Sequence, residues 1–143
     1  MSLEDCFESR QLREIPPDLL KAGKSLETAE YKLVEARELS NAGFGSAAIV
    51  TAYASMLHSA RALLYRDGFQ EKSHYCVIQY LKEKYAKIGS LQSVLVTVMD
   101  AFRAERHDIM YGFAPSKVKS EDVEAAVENA GEMIKAVRKL IVV

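Results

Sequence analysis

Long unbroken apolar runs are missing from this chain of 143 residues. The nearest, from Ala47 to Leu64, is interrupted by Thr51, Ser55, His58, Ser59 and Arg61, which excludes a membrane-spanning helix there. The first ten residues are mixed polar and acidic, with no apolar stretch for a secretory leader, so a cytoplasmic protein with no membrane association is expected. Cysteine is scarce. Cys6 and Cys76 lie far apart, with neither a CxxC pair nor Cys/His ligand spacing, and the expectation is a reduced, unpaired state. An excess of one charge is also lacking: 19 Lys and Arg face 20 Asp and Glu, a net charge of −1, which argues against a bulk polyanion binder. There is no Walker loop, no GxGxxG, no HExxH and no Ser/His/Asp order of a hydrolase. Repeats, low-complexity tracts and interdomain linkers are absent as well.

What is present is an uneven charge distribution. Residues 1–60 hold six Lys/Arg against nine Asp/Glu, residues 61–119 ten against six, and residues 120–143 three against five. The middle is locally basic between acidic ends, which permits a local phosphate-binding surface.

Glycine and proline punctuate the chain into helices. Pro16-Pro17 open the first, whose Leu19, Leu20, Leu26, Ala29, Leu33, Ala36 and Leu39 recur near a period of 3.6 until Asn41-Ala42-Gly43. Gly45-Ser46 introduce a second, running to about Arg66 before Asp67-Gly68 and apolar nearly all round, as suits the centre of a bundle. Ser73 is a plausible cap for a third through Tyr85, and Ser90 for a fourth reaching Tyr111, with Gly112 and Pro115 closing it. Ser120 caps a fifth, with Glu121 and Asp122 in its first turn and Lys135, Arg138 and Lys139 near its end, an order that suits the helix dipole. The β-branched Val94, Val96, Thr97 and Val98 tempt a strand assignment, but their place after a capping serine favours helix. No segment alternates with period two, so no sheet is expected. The expected fold is all-α: a single antiparallel bundle of four to five helices over residues 16–143, preceded by an N-terminal extension of residues 1–15. The apolar faces exceed what one small bundle must hide, which predicts a two-fold homodimer.

One polar cluster stands out, Arg103-Ala104-Glu105-Arg106-His107-Asp108-Ile109-Met110-Tyr111, at the end of an apolar helix. Arg103, His107 and Tyr111 fall on one stripe, with Arg106 beside it. Arginine offers a rigid fork of donors to phosphate oxygens, and histidine can move protons near neutrality. Tyrosine, with an ordinary pKa of about 10, is a poor base at neutral pH. The competing reading is a solvated ion-pair ladder of Arg103, Glu105, Arg106 and Asp108. His58 and His74 have no second ligand at helical spacing, so no metal or cofactor is expected and both read as structural or packing residues.

Three stretches in order resemble the HEPN family, in its branch of small stand-alone prokaryotic proteins. They are Tyr53-Ala54-Ser55-Met56-Leu57-His58-Ser59-Ala60-Arg61-Ala62-Leu63-Leu64, then Gly68 followed by Ser73-His74, then Arg103 and Arg106 followed by Tyr111-Gly112. The resemblance covers about residues 20 to 140. It implies a dimerising helical bundle in which, in catalytic members, an arginine and a nearby histidine at the dimer cleft cut RNA without metal. Arginine neutralises phosphate charge, and histidine moves the proton as the 2′-hydroxyl attacks. Many members are toxins paired with a small nucleotidyltransferase antitoxin.

This chain departs from the active pattern. Arg106 matches the motif arginine, but Tyr111 stands at the histidine position, and Arg103 and His107 are spaced one residue too closely. Met110 replaces an aspartate, and Phe113 stands where a partner-modified tyrosine can lie. The resulting expectation is a cleft presenting Arg103, Arg106, His107 and Tyr111 to RNA or nucleotide, in a toxin–antitoxin or nucleotidyltransferase-associated component with weak or no ribonuclease activity. The alternatives are an active metal-independent endoribonuclease, with Arg106 stabilising charge and His107 or Tyr111 moving protons, and a purely structural interaction module.

Overall fold

A computed structural model describes residues 1–112 and 118–141. The elements are α1 (Leu3–Glu8), β1 (Leu12–Glu14), α2 (Leu19–Asn41), α3 (Gly45–Asp67), β2 (Phe69–Glu71), α4 (His74–Leu81) with a π-helical turn over Lys82–Ala86, α5 (Ser93–Tyr111) and α6 (Ser120–Ile141). The all-α expectation holds. The helix nearly apolar all round, α3, is the central one: it packs most extensively on α2, and α4, α5, α6 and β2 also lie against it. Ile49, Met56, Leu63 and Leu64 on it are fully buried.

Small residues let α2 and α3 approach closely, and two hydroxyls pin them. Ser25 Oγ donates to the His58 carbonyl at 2.8 Å, and Ser55 Oγ to the Ala29 carbonyl at 2.7 Å. Each bond satisfies a hydroxyl that would be costly to bury alone. Asn129 of α6 likewise donates to the Leu95 carbonyl of α5 at 3.1 Å.

Two expectations fail here. A short antiparallel sheet exists, with β1 pairing β2 in the register Leu12↔Glu71, Arg13↔Gln70 and Glu14↔Phe69. Strands of three residues are too short to show a period of two, and their partners are remote in sequence. The cysteines are also not reduced and unpaired. Cys6 of α1 and Cys76 of α4 form a disulfide, with Cα atoms 5.8 Å apart across a separation of 70 residues. Both are fully buried. The bond depends on α1 folding onto α4, which no local pattern reveals.

Helix boundaries follow their caps in part. Ser73 Oγ accepts from the Cys76 amide at 3.3 Å, so α4 starts where expected, with His74 as its first residue. The fourth expected helix begins later, at Ser93 instead of beside Ser90, because Leu91 is buried and the Ser90 and Leu91 amides both donate to the Tyr85 carbonyl. Its closing Pro115, like Phe113, lies outside the described residues.

Gly68 sets the return path of the chain. It ends α3 at φ 92°, a left-handed conformation that glycine adopts without strain, and a Cβ there would sit 3.0 Å from the Ile15 carbonyl oxygen. The turn leads directly into β2 and the start of α4. Arg61 of α3 then holds Glu71 of β2 through both carboxylate oxygens at 3.0 to 3.2 Å. At this same C-terminal end of α3, Asp67 Oδ2 accepts from the Tyr80 and Tyr85 hydroxyls at 2.7 and 2.5 Å. Burial and this carboxylate push both phenols well above the ordinary tyrosine range.

Candidate phosphate-binding site

The arginines of α5 do not form an ion-pair ladder with Glu105 and Asp108. Arg103 Nε donates to Asp100 Oδ1 at 2.9 Å, one turn back, and Asp100 also meets Lys82 at 3.7 Å. Among the described residues Arg106 has no ion pair and no hydrogen bond, and neither Glu105 nor Asp108 pairs with an arginine. Glu105 is instead near Asp108 and Asp122. Burial first, then those two carboxylates, raises its pKa, so the flank of α5 towards α6 is the acidic one.

Both guanidiniums lie over aromatic rings from other elements. Arg106 Cζ is 5.7 Å from the centroid of Tyr53 on α3, and Arg103 Cζ is 5.6 Å from that of Tyr75 on α4. Such contacts orient a guanidinium without consuming its donors. Beneath Arg106, Tyr53 is 1% exposed, and its hydroxyl is 3.1 Å from Nδ1 of His74, with the rings 5.7 Å apart. Burial pushes the Tyr53 phenol up to about 12, against the pull of Arg106, Arg103 and Arg61, so it remains a phenol at any physiological pH. His74 is lowered from the ordinary histidine value, first by burial and then by Arg106, Arg61 and Arg103, with Glu71 opposing.

The structure therefore divides the sequence-predicted residues. Arg103 and Arg106 share the flank of α5 facing α3 and α4. His107 and Tyr111 are exposed, their rings 4.9 Å apart along the same stripe. Sequence reasoning missed His74, read as a structural or packing residue, and gave Tyr53 no role. Both had already appeared in the two upstream stretches that resemble the family, and only folding brings them beside the arginines. His58, on the same helix as Tyr53, lies near Lys32, Arg61 and Glu71, and burial lowers its pKa.

Among the described residues no group of three or more His, Cys, Asp or Glu is placed to hold a metal ion. Nor is any helix among them long and apolar enough to cross a membrane. A groove of about 680 Å³ between α2 and α6 shares no residue with the arginine cluster. Its Glu30, Glu124, Glu128 and Glu132 outnumber Arg37, Lys135 and Arg138, and Glu30 pairs with Arg138, so it is poorly suited to an anion.

No curated protein sequence matches the chain. The family model of the HEPN domain matches residues 22–140, from the second turn of α2 to the last turn of α6. With that match over most of its length, and with the helical bundle observed, the chain belongs to the HEPN family.

Proposed function

We propose that this protein is a homodimer that binds RNA or a nucleotide phosphate at an inter-subunit cleft through Arg103 and Arg106, with little or no ribonuclease activity of its own. The observation that carries the reading is Arg106: a half-buried guanidinium seated on a tyrosine ring, without a carboxylate partner among the described residues. A cation held in that way is ready for an anion from outside. The exposed Met110 and Tyr111 beside it supply apolar surface for a second subunit and a ring for a base to stack on. Family membership supports RNA- or nucleotide-related work in general terms.

The low activity follows from chemistry. Tyr111 stands in the motif's histidine position, and a phenol, protonated at neutral pH, is a far poorer general base than an imidazole. A small nucleotidyltransferase partner, as in many toxin–antitoxin pairs of the family, fits this binding role. The experiment is a single-stranded RNA titration of the natural chain and of the Arg103→Ala/Arg106→Ala double variant. Binding should be lost in the variant while the melting temperature moves by only a few degrees. Intact binding by the double variant would refute the site.

A further inference from the structure

The HEPN motif counts one arginine and one histidine on the same helix, and here that histidine is missing. A different imidazole reaches the same neighbourhood from another element. His74 opens α4, and its Nδ1 is bonded to the hydroxyl of Tyr53, whose ring also carries Arg106. A single buried ring thus holds a guanidinium and an imidazole together. Ser73, whose side chain caps α4, and the turn at Gly68 set where that imidazole lies.

We infer that His74 is a third anion-binding group of this site, and that it meets RNA phosphate as an imidazolium, so that docking draws one proton from solution. The inference rests on the phosphate-binding reading above and adds a group to it. Tyrosine suits this exchange because a hydroxyl both donates and accepts. With neutral His74 the phenol donates to Nδ1. With the imidazolium, Nδ1–H donates to the phenol oxygen and Nε2–H remains for the ligand.

Burial and the surrounding charges together explain why the proton waits for the anion. Arg103 and Arg106 from α5 and Arg61 from α3 face His74, against the single carboxylate of Glu71 from β2; Tyr53 and Tyr75 are the neighbouring phenols. In the free protein half-burial first, and then that excess of cations, lowers the ring's hold on a proton. A bound phosphate offsets the guanidiniums and adds an opposite charge, which favours the protonated ring. Glu71 does not do this alone, because Arg61 already holds both of its oxygens.

The test uses the full chain and single-stranded RNA carrying a fluorophore that does not titrate in the window and no terminal phosphate, with affinity measured between about pH 5.5 and 8 at constant ionic strength. RNA phosphodiesters do not titrate in that interval, so any slope belongs to the protein. The natural chain should bind several-fold more tightly at the acid end. Calorimetry in two buffers of different ionisation enthalpy should show uptake approaching one proton. In His74→Gln, which keeps a polar group for Tyr53, the slope and the uptake should vanish, and binding at every pH should fall to about that of the natural chain at the alkaline end. His58→Gln should leave both in place. A thermal melt of each variant confirms that it is folded.

An unchanged slope in His74→Gln, or a slope that disappears only in His107→Gln, would overturn the inference and leave the arginine site standing. Binding that survives Arg103→Ala/Arg106→Ala would instead remove the parent reading. If the natural chain bound no RNA at any pH, and the His74 ring signal in NMR titrated identically with and without RNA, both would fall.

Discussion

The two arginines of α5 should be unequal, and the asymmetry can be worked out from their partners. Arg103 is already engaged: Asp100 accepts from its Nε at 2.9 Å, so an incoming phosphate competes with a carboxylate. Arg106 has no such competitor among the described residues. Its hydrogen bond to a phosphate is charge-assisted, about 1.5–3 kcal/mol in similar settings. Arg106→Ala should therefore weaken single-stranded RNA binding by roughly ten- to a hundredfold. It should also reduce the slope of log affinity against log salt by about 0.7, the value for one phosphate contact on a single strand. Arg103→Ala should cost less, and Asp100→Asn should strengthen binding, because it frees Arg103 and removes a negative charge from the rim. Stability is a separate readout. The Arg106 cation over the Tyr53 ring is worth about 0.5–1 kcal/mol, so Arg106→Ala should lower the melting temperature by only about 2–4 °C. Fluorescence anisotropy across a salt series, paired with calorimetric melts, measures both quantities. An Arg103→Ala variant weaker than Arg106→Ala, or an Asp100→Asn variant with reduced affinity, would refute the reasoning.

Four further outcomes follow from the same geometry. The Cys6–Cys76 bond closes a loop across 70 residues, for which chain entropy assigns about 4 kcal/mol; a reductant should lower the melting temperature by on the order of 10 °C, and a change below about 2 °C would contradict the bond's role. His58 and His74 have pKa values below the unfolded value, so the unfolded chain binds protons more readily; denaturation midpoints should fall as pH drops below about 6.5, and the double His→Gln variant should flatten that fall. Tyr111→His restores the Arg-then-His spacing and should raise RNA cleavage, measured with chelator present, by on the order of 10²-fold or more over a nearly inactive natural chain. Strong natural cleavage abolished by His107→Ala would show instead that His107 is the working acid/base. Light scattering at micromolar concentration should give a dimer mass, and a monomer would remove the shared cleft.

Much of the architecture is legible in the sequence alone because it is local. The 3.6-residue period in residues 19–39, the all-round apolar character of α3 and the cap at Ser73 each act within a turn or two of chain, and each placed an element. The Arg103 and Arg106 pair was legible for the same reason: helical spacing alone puts two guanidiniums on neighbouring lines of one helix.

What tertiary structure decided are the pairings between distant segments. Three-residue strands too short for a visible period meet only because Gly68 turns the chain back past Ile15. Two cysteines with no ligand spacing bond because α1 lies on α4. By its place in the sequence His74 is a first-turn packing residue; Tyr53, 21 positions earlier, holds it beside Arg106. A periodic pattern reports which face of a helix is buried, but not which side chain of another helix it is buried against, and the chemistry of this site depends on that second fact.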